Sequence, residues 1–81
     1  MARARVYITL KQGILDPVGK TLLRALKSLD YQEVEDLRVG KYMEVEISGD
    51  DPGRIEERLS EMCEKLLANP IIEDYRLEVD A

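Results

Sequence analysis

Residues Glu33 to Ser48, EVEDLRVGKYMEVEIS, decide how many strands this chain can make. Leu37, Val39, Met43, Val45 and Ile47 share one parity, and Arg38, Glu44 and Glu46 share the other. That alternation is the signature of strand with one buried face. A two-residue turn at Gly40-Lys41 would pair Val39 with Tyr42 and put Leu37 on the face of Glu44 and Glu46, against burial. A three-residue loop, Gly40-Lys41-Tyr42, pairs Val39 with Met43 and keeps the apolar set together. One long strand bent at Gly40 does the same. Two strands is the favoured reading, and the bent single strand is the alternative.

Upstream, Val6 to Leu10, VYITL, alternates as a half-buried strand. Asp16-Pro17 reads as a helix start, with Asp16 the N-cap and Pro17 in the first turn. Val18, Leu22, Leu26 and Leu29 follow as an apolar stripe widened by Leu23 and Ala25, and the helix is expected to end near Asp30. Downstream, Asp51-Pro52 repeats the helix start. Ile55, Leu59, Met62, Cys63 and Leu66 form its stripe, and Asn69-Pro70 stops it. Tyr75, Leu77 and Val79 alternate with Arg76, Glu78 and Asp80 in a last strand.

The order is therefore βαββαβ, an α+β fold. Its natural form is a ferredoxin-like antiparallel sheet with both helices on one face. Tyr7, Thr9, Tyr42, Glu44 and Glu46 then fall on or beside the uncovered face, which is expected to find a cover.

The chain has 81 residues, 44% of them apolar, and reads as one domain spanning residues 1–81. A chain this short buries only about 60% of its unfolded surface, so oligomerisation is expected. The formal charge is −5, and only the opening MARAR is locally basic. It reads as a solvated terminus beside a strand, which argues against a nucleic-acid footprint. No run approaches a membrane span and no signal peptide is visible. Cys63 is the one cysteine, leaving no disulfide or metal pattern. These features point to the cytoplasm.

Gly13 to Thr21, GILDPVGKT, imitates a phosphate-binding loop. A true loop has four residues between its glycines, whereas five lie between Gly13 and Gly19. Pro17 has no N–H to offer a phosphate, and Asp16 would repel one. An Asp-Pro capped helix with Gly19 in its first turn accounts for every residue, and leaves Lys20 and Thr21 on the surface. Other chemistry is thin. There is no histidine, Cys63 lies on an apolar stripe as a packed thiol, and the pairs Glu35/Asp36, Asp50/Asp51 and Glu73/Asp74 fit solvated turns and strand ends. Tyr42 and Tyr75 suit either sheet packing or an interface.

Three stretches carry a more specific resemblance. VYITLKQGILDPVGKTLLRALKSLDY, VEDLRVGKYMEVEI and EMCEKLLANPIIEDYRLEV, in this order and from Val6 to about Val79, resemble the PurS family, the small subunit of phosphoribosylformylglycinamidine synthase. The resemblance implies two ferredoxin-like halves joined in a homodimer. It implies a non-catalytic bridge in purine biosynthesis between a large synthetase subunit, which binds ATP and Mg, and a glutaminase subunit that supplies ammonia. No cofactor is implied on this chain. Gly40, Lys41 and Tyr42, then Asn69, Pro70 and Tyr75, are the expected partner-interface residues. Two rival readings remain: an ACT-like regulatory module that binds a small molecule, and a nucleotide enzyme built on GILDPVGKT. Lys20→Ala separates the last from the rest. We expect it to leave the assembled synthetase activity largely unchanged, and a loss beyond about tenfold with assembly intact would favour a true phosphate loop.

Overall fold

The computed structural model describes residues 1–80. The elements are β1 (Ala2–Leu10), α1 (Pro17–Ser28), β2 (Gly40–Ile47), α2 (Pro52–Met62), a π-helical turn (Cys63–Leu67) and β3 (Glu73–Asp80). The strands form one antiparallel sheet in the order β2-β1-β3.

β1 is central because its pattern suits both neighbours. Ala2, Ala4, Val6 and Ile8 point to one face and are almost fully buried. Arg3, Arg5, Tyr7 and Thr9 point to the other, where short and long side chains alternate with the pleat. The strand thus begins at Ala2 rather than Val6. MARAR is not a solvated terminus: its alanines floor the core and its arginines stand outside. On the buried face Val6 pairs with Met43 and Leu77, and Ala4 with Val45 and Val79. α2 lies over this face through Ile55, Leu59 and Cys63.

The α+β architecture, with an antiparallel sheet and two helices, is present, but the fourth strand is not. Residues 33–39 form neither a separate strand nor the first half of a bent one, and no hairpin turns at Gly40. Gly40, Lys41 and Tyr42 are instead the first three residues of β2, opposite Thr9, Ile8 and Tyr7. A Cβ at Gly40 would collide with the Ile8 carbonyl oxygen, so this glycine marks a close approach of two strands rather than a bend. The Val39 N–H is donated to the Asp16 carboxylate and makes no ladder bond.

α1 also departs from expectation. α2 packs on β3, whereas α1 makes no comparable contact with any strand. Its one buried residue is Gly19. Leu23 and Leu26 are half-buried, as are Val34 and Leu37 in the segment that follows. Val18, Leu22 and Leu29 remain 56%, 45% and 68% exposed. The helix stops at Leu29, and Asp30 turns the chain at φ +77°, a left-handed conformation that Asp tolerates. Helix and return segment form an arm. The radius of gyration is accordingly 16.1 Å, against about 12 Å for a compact domain of this length.

The stripe of α2 breaks where the π turn begins. The Ala68 N–H bonds to the Cys63 carbonyl at 3.0 Å, five residues back, which inserts one residue into the turn. The inward position passes from Leu66 to Leu67, so Leu67 packs against the core and Leu66 is 82% exposed. Leu59→Ala should therefore cost about 2–5 kcal/mol, and Leu66→Ala less than about 0.5 kcal/mol, in urea unfolding. Equal losses would mean the helix keeps one continuous stripe.

Candidate functional site

Cross-strand partners share a face, so the register places every candidate residue. Ile8 is flanked by Lys41 on β2 and Tyr75 on β3, so these two lie on the buried face near the end of the sheet that α2 leaves open. Lys41 Nζ stands 3.5 Å from Glu73 Oε2, and Glu73 Oε1 accepts the Asn69 N–H at 2.7 Å. Asn69 builds the turn: its side-chain oxygen accepts from the Ile71 N–H, and its carbonyl accepts from those of Ile72 and Glu73. Pro70 follows in the same exposed turn. Glu73 thus draws Lys41 and Asn69 together. Glu73 is therefore not the solvated strand end that the sequence suggests: it is held by Asn69 four residues before it and by Lys41 from the other edge of the sheet. Beside Lys41 and Glu73, Leu10, Pro17, Val18 and Val39 border an open hollow of about 220 Å³.

Tyr42 lies elsewhere. It pairs with Tyr7 on the opposite face, as the uncovered-face reading expected, with ring centroids 5.2 Å apart. The Arg76 guanidinium sits 4.1 Å from the Tyr7 ring centre, in cation–π geometry. The Tyr7 hydroxyl donates to Glu78 at 2.7 Å. Arg5 donates to the same Glu78 oxygen at 3.0 Å and to Asp80 at 2.6 Å. Arg3 reaches Glu46, and Lys11 reaches Asp74. The face is a ladder in which β1 supplies Arg3 and Arg5, β3 supplies Arg76, and the two outer strands supply the anions. Its charged side chains are largely paired with one another. The uncovered apolar surface lies on α1 instead, and in Leu66 and Ile71, exposed by 82% and 83%.

The electrostatics follow from these contacts. The Tyr7 hydroxyl and Arg5 hold the Glu78 carboxyl below its ordinary range, and Arg5 does the same to Asp80. Bonding to Glu78 raises the Tyr7 phenol. Asp16 is lowered by the N–H groups of Gly19 and Val39. Burial pushes up the Cys63 thiol, which leaves it protonated and inert near neutral pH. No group of three or more metal-ligating side chains occurs among the described residues, and no helix of theirs is long and apolar enough to cross a membrane.

What these features define is a small α+β module with an ionic ladder on one face of its sheet and exposed apolar surface on α1. The chain belongs to the PurS family: the family model described as phosphoribosylformylglycinamidine (FGAM) synthase matches residues 3–81. It is 50% identical over 80 residues to the phosphoribosylformylglycinamidine synthase subunit PurS of Bacillus subtilis, covering 99% of this chain and 94% of that one. The solved structure of Bacillus subtilis PurS superposes with a TM-score of 0.90 at 49% identity over 100% of both chains. A chain in the structure of PurLQS from Thermotoga maritima superposes with a TM-score of 0.86 at 26% identity, covering 99% of each. The chain is thus a subunit of this synthase.

The carboxylates set the response to acid. Depressed folded pKa values give Glu78, Asp80 and Asp16 a contribution that is complete above the ordinary carboxylate range, about pH 4. It is lost as the pH falls through the lower folded values. The urea midpoint should therefore drop between pH 7 and pH 3, and Arg5→Met should make the drop smaller. An unchanged drop would show that the Arg5 ladder contributes nothing to acid sensitivity.

Proposed function

We propose that this chain bridges the large synthetase subunit and the glutaminase subunit of phosphoribosylformylglycinamidine synthase in purine biosynthesis, and that it does so as a homodimer in the cytoplasm. The exposed apolar stripe of α1 carries this reading. Val18, Leu22 and Leu29 lie on one side of a helix that no strand of its own sheet covers. Exposed apolar surface of this kind marks an interaction site. The similarity to a chain in the PurLQS structure supports the same conclusion.

On this reading residues 1–81 act as one domain that supplies shape. ATP and Mg belong to the large subunit. Ammonia must travel from one partner to the other before it is protonated or lost to water. Holding the two sites in fixed register raises its local concentration and excludes solvent. Gly40, Lys41, Tyr42, Asn69, Pro70 and Tyr75 remain our candidates for contacts with the other subunits. Tyr42, 52% exposed on the ladder face, is an anchor of the kind interfaces favour. Gly40 and Asn69 act through the backbone geometry they allow.

Co-purification with the synthetase and glutaminase subunits, in the presence of ADP, Mg and glutamine, is expected to yield one complex. Tyr42→Ala and Lys41→Glu should each weaken assembly by about tenfold or more while the isolated chain stays folded. Absence of any complex with the wild-type chain would overturn the bridging role. Binding of an amino acid by the isolated chain tighter than about 1 mM in calorimetric titration would favour the ACT-like module instead.

A further inference from the structure

The sequence contains two Asp-Pro helix starts, and the structure uses them differently. At α2, Asp51 Oδ1 accepts the Gly53 N–H at 3.1 Å. Nothing crowds Gly53, where an added Cβ would meet its nearest neighbour at 3.6 Å. Ile55 and Leu59, 4% and 0% exposed, hold that helix on the sheet. At α1, Asp16 uses both oxygens. Oδ1 accepts the Gly19 N–H at 2.9 Å and caps the helix. Oδ2 accepts the Val39 N–H at 3.0 Å, 23 residues along the chain. Gly19 is buried, and a Cβ there would come within 2.6 Å of both Asp16 Oδ2 and the Leu37 carbonyl oxygen. Helix start and return segment are drawn together to a separation only glycine permits.

This contact matters because α1 has little else to aim it. It makes no extensive contact with any strand, so burial on the sheet does little to set its direction. Val39 immediately precedes Gly40, the residue that pairs with Thr9 on the central strand. A bond from Asp16 to Val39 therefore refers the helix to the sheet itself. We propose that Asp16 is a positioning residue, whose carboxylate latches the start of α1 to the entry of β2 and so fixes the direction in which Val18, Leu22 and Leu29 face a second copy of this chain. The inference rests on the homodimer reading above. It gives GILDPVGKT a role: the carboxylate that spoils a phosphate loop makes the latch, and the glycine gives it room. The lowered pKa of Asp16 accords with two N–H donors on one carboxylate.

Asp16→Ser tests the latch. Ser caps a helix nearly as well as Asp, but one hydroxyl cannot also serve Val39. Asp51→Ser is the matched control, because Asp51 only caps. Each is made in the full chain and measured by far-UV circular dichroism and sedimentation equilibrium, with amide exchange at Val39. Asp16→Ser should keep its helicity, expose the Val39 N–H to faster exchange and weaken the dimer by about tenfold or more. Asp51→Ser should leave the dimer within about twofold of wild type. Should Asp16→Ser lose helicity, Gly19→Ala carries the test. It favours helix, keeps Asp16 and forces the latch apart, and it should weaken the dimer similarly. A wild-type dimer that neither substitution weakens overturns the latch alone. A wild-type chain that is monomeric at about 100 μM, a concentration where even modest dimers persist, overturns the homodimer reading and the latch's purpose with it.

Discussion

Every part of this molecule is referred to the central strand. β1 carries a ladder on each side, and its inward residues Ala2, Ala4, Val6 and Ile8 are the floor on which α2 rests. With only three strands, the sheet has no second strand to take over that role. Two of the floor residues are alanines, which lets Ile55 and Leu59 approach closely and compensates for a core poor in aromatic volume. Burying each of the larger aliphatic side chains is worth about 1.5–3 kcal/mol. The core is thus adequate for the sheet and α2, and it does not extend to α1.

The same strand organises the charges. Because Arg3 and Arg5 alternate with the alanines, they stand between acidic residues of both neighbours. The open face becomes a self-contained ionic ladder with Tyr7 at its centre. Such a face tolerates water and leaves Tyr42 exposed beside the paired charges. Exposed apolar surface lies on the stripe of α1. A subunit built this way contributes position. Its thiol is buried and the carboxylates of the ladder are engaged, while several apolar residues outside the core are presented outward.

The strands, the helices and their caps were legible because they rest on local rules. Period-two alternation marks Val6–Leu10 and Tyr75–Val79, and Asp-Pro marks both helix starts whatever the remainder of the chain does. The failures share a cause. Leu37 and Val39 alternate like strand, but a strand needs a neighbour, and none exists in the chain beyond β2. Leu66 falls on the helical stripe until the π turn adds a residue. Val18, Leu22 and Leu29 form a proper stripe, but periodicity says only that a face wants burial, not that this chain supplies the burial. Ala2 and Ala4 went unread because alanine is not a strand signal on its own.

Of the expected interface residues, Lys41, Asn69 and Tyr75 converge at one end of the sheet, while Tyr42 points to the other face. Parity along β2 implies that split, but which face is covered depends on where α2 lands. The β1 partners of Glu78, and the second contacts of Glu73 and Asp16, were unreadable, since each comes from a residue more than twenty positions distant. The amino-acid sequence by itself determined the two helix starts, the first and last strands and the family, because these depend on neighbouring residues and on which side chains exist. Tertiary structure alone decided that the sheet has three strands, that α1 stands off it, and that one carboxylate joins Gly19 to Val39. Those outcomes depend on which distant segments meet, and hydrophobic pattern is silent about that.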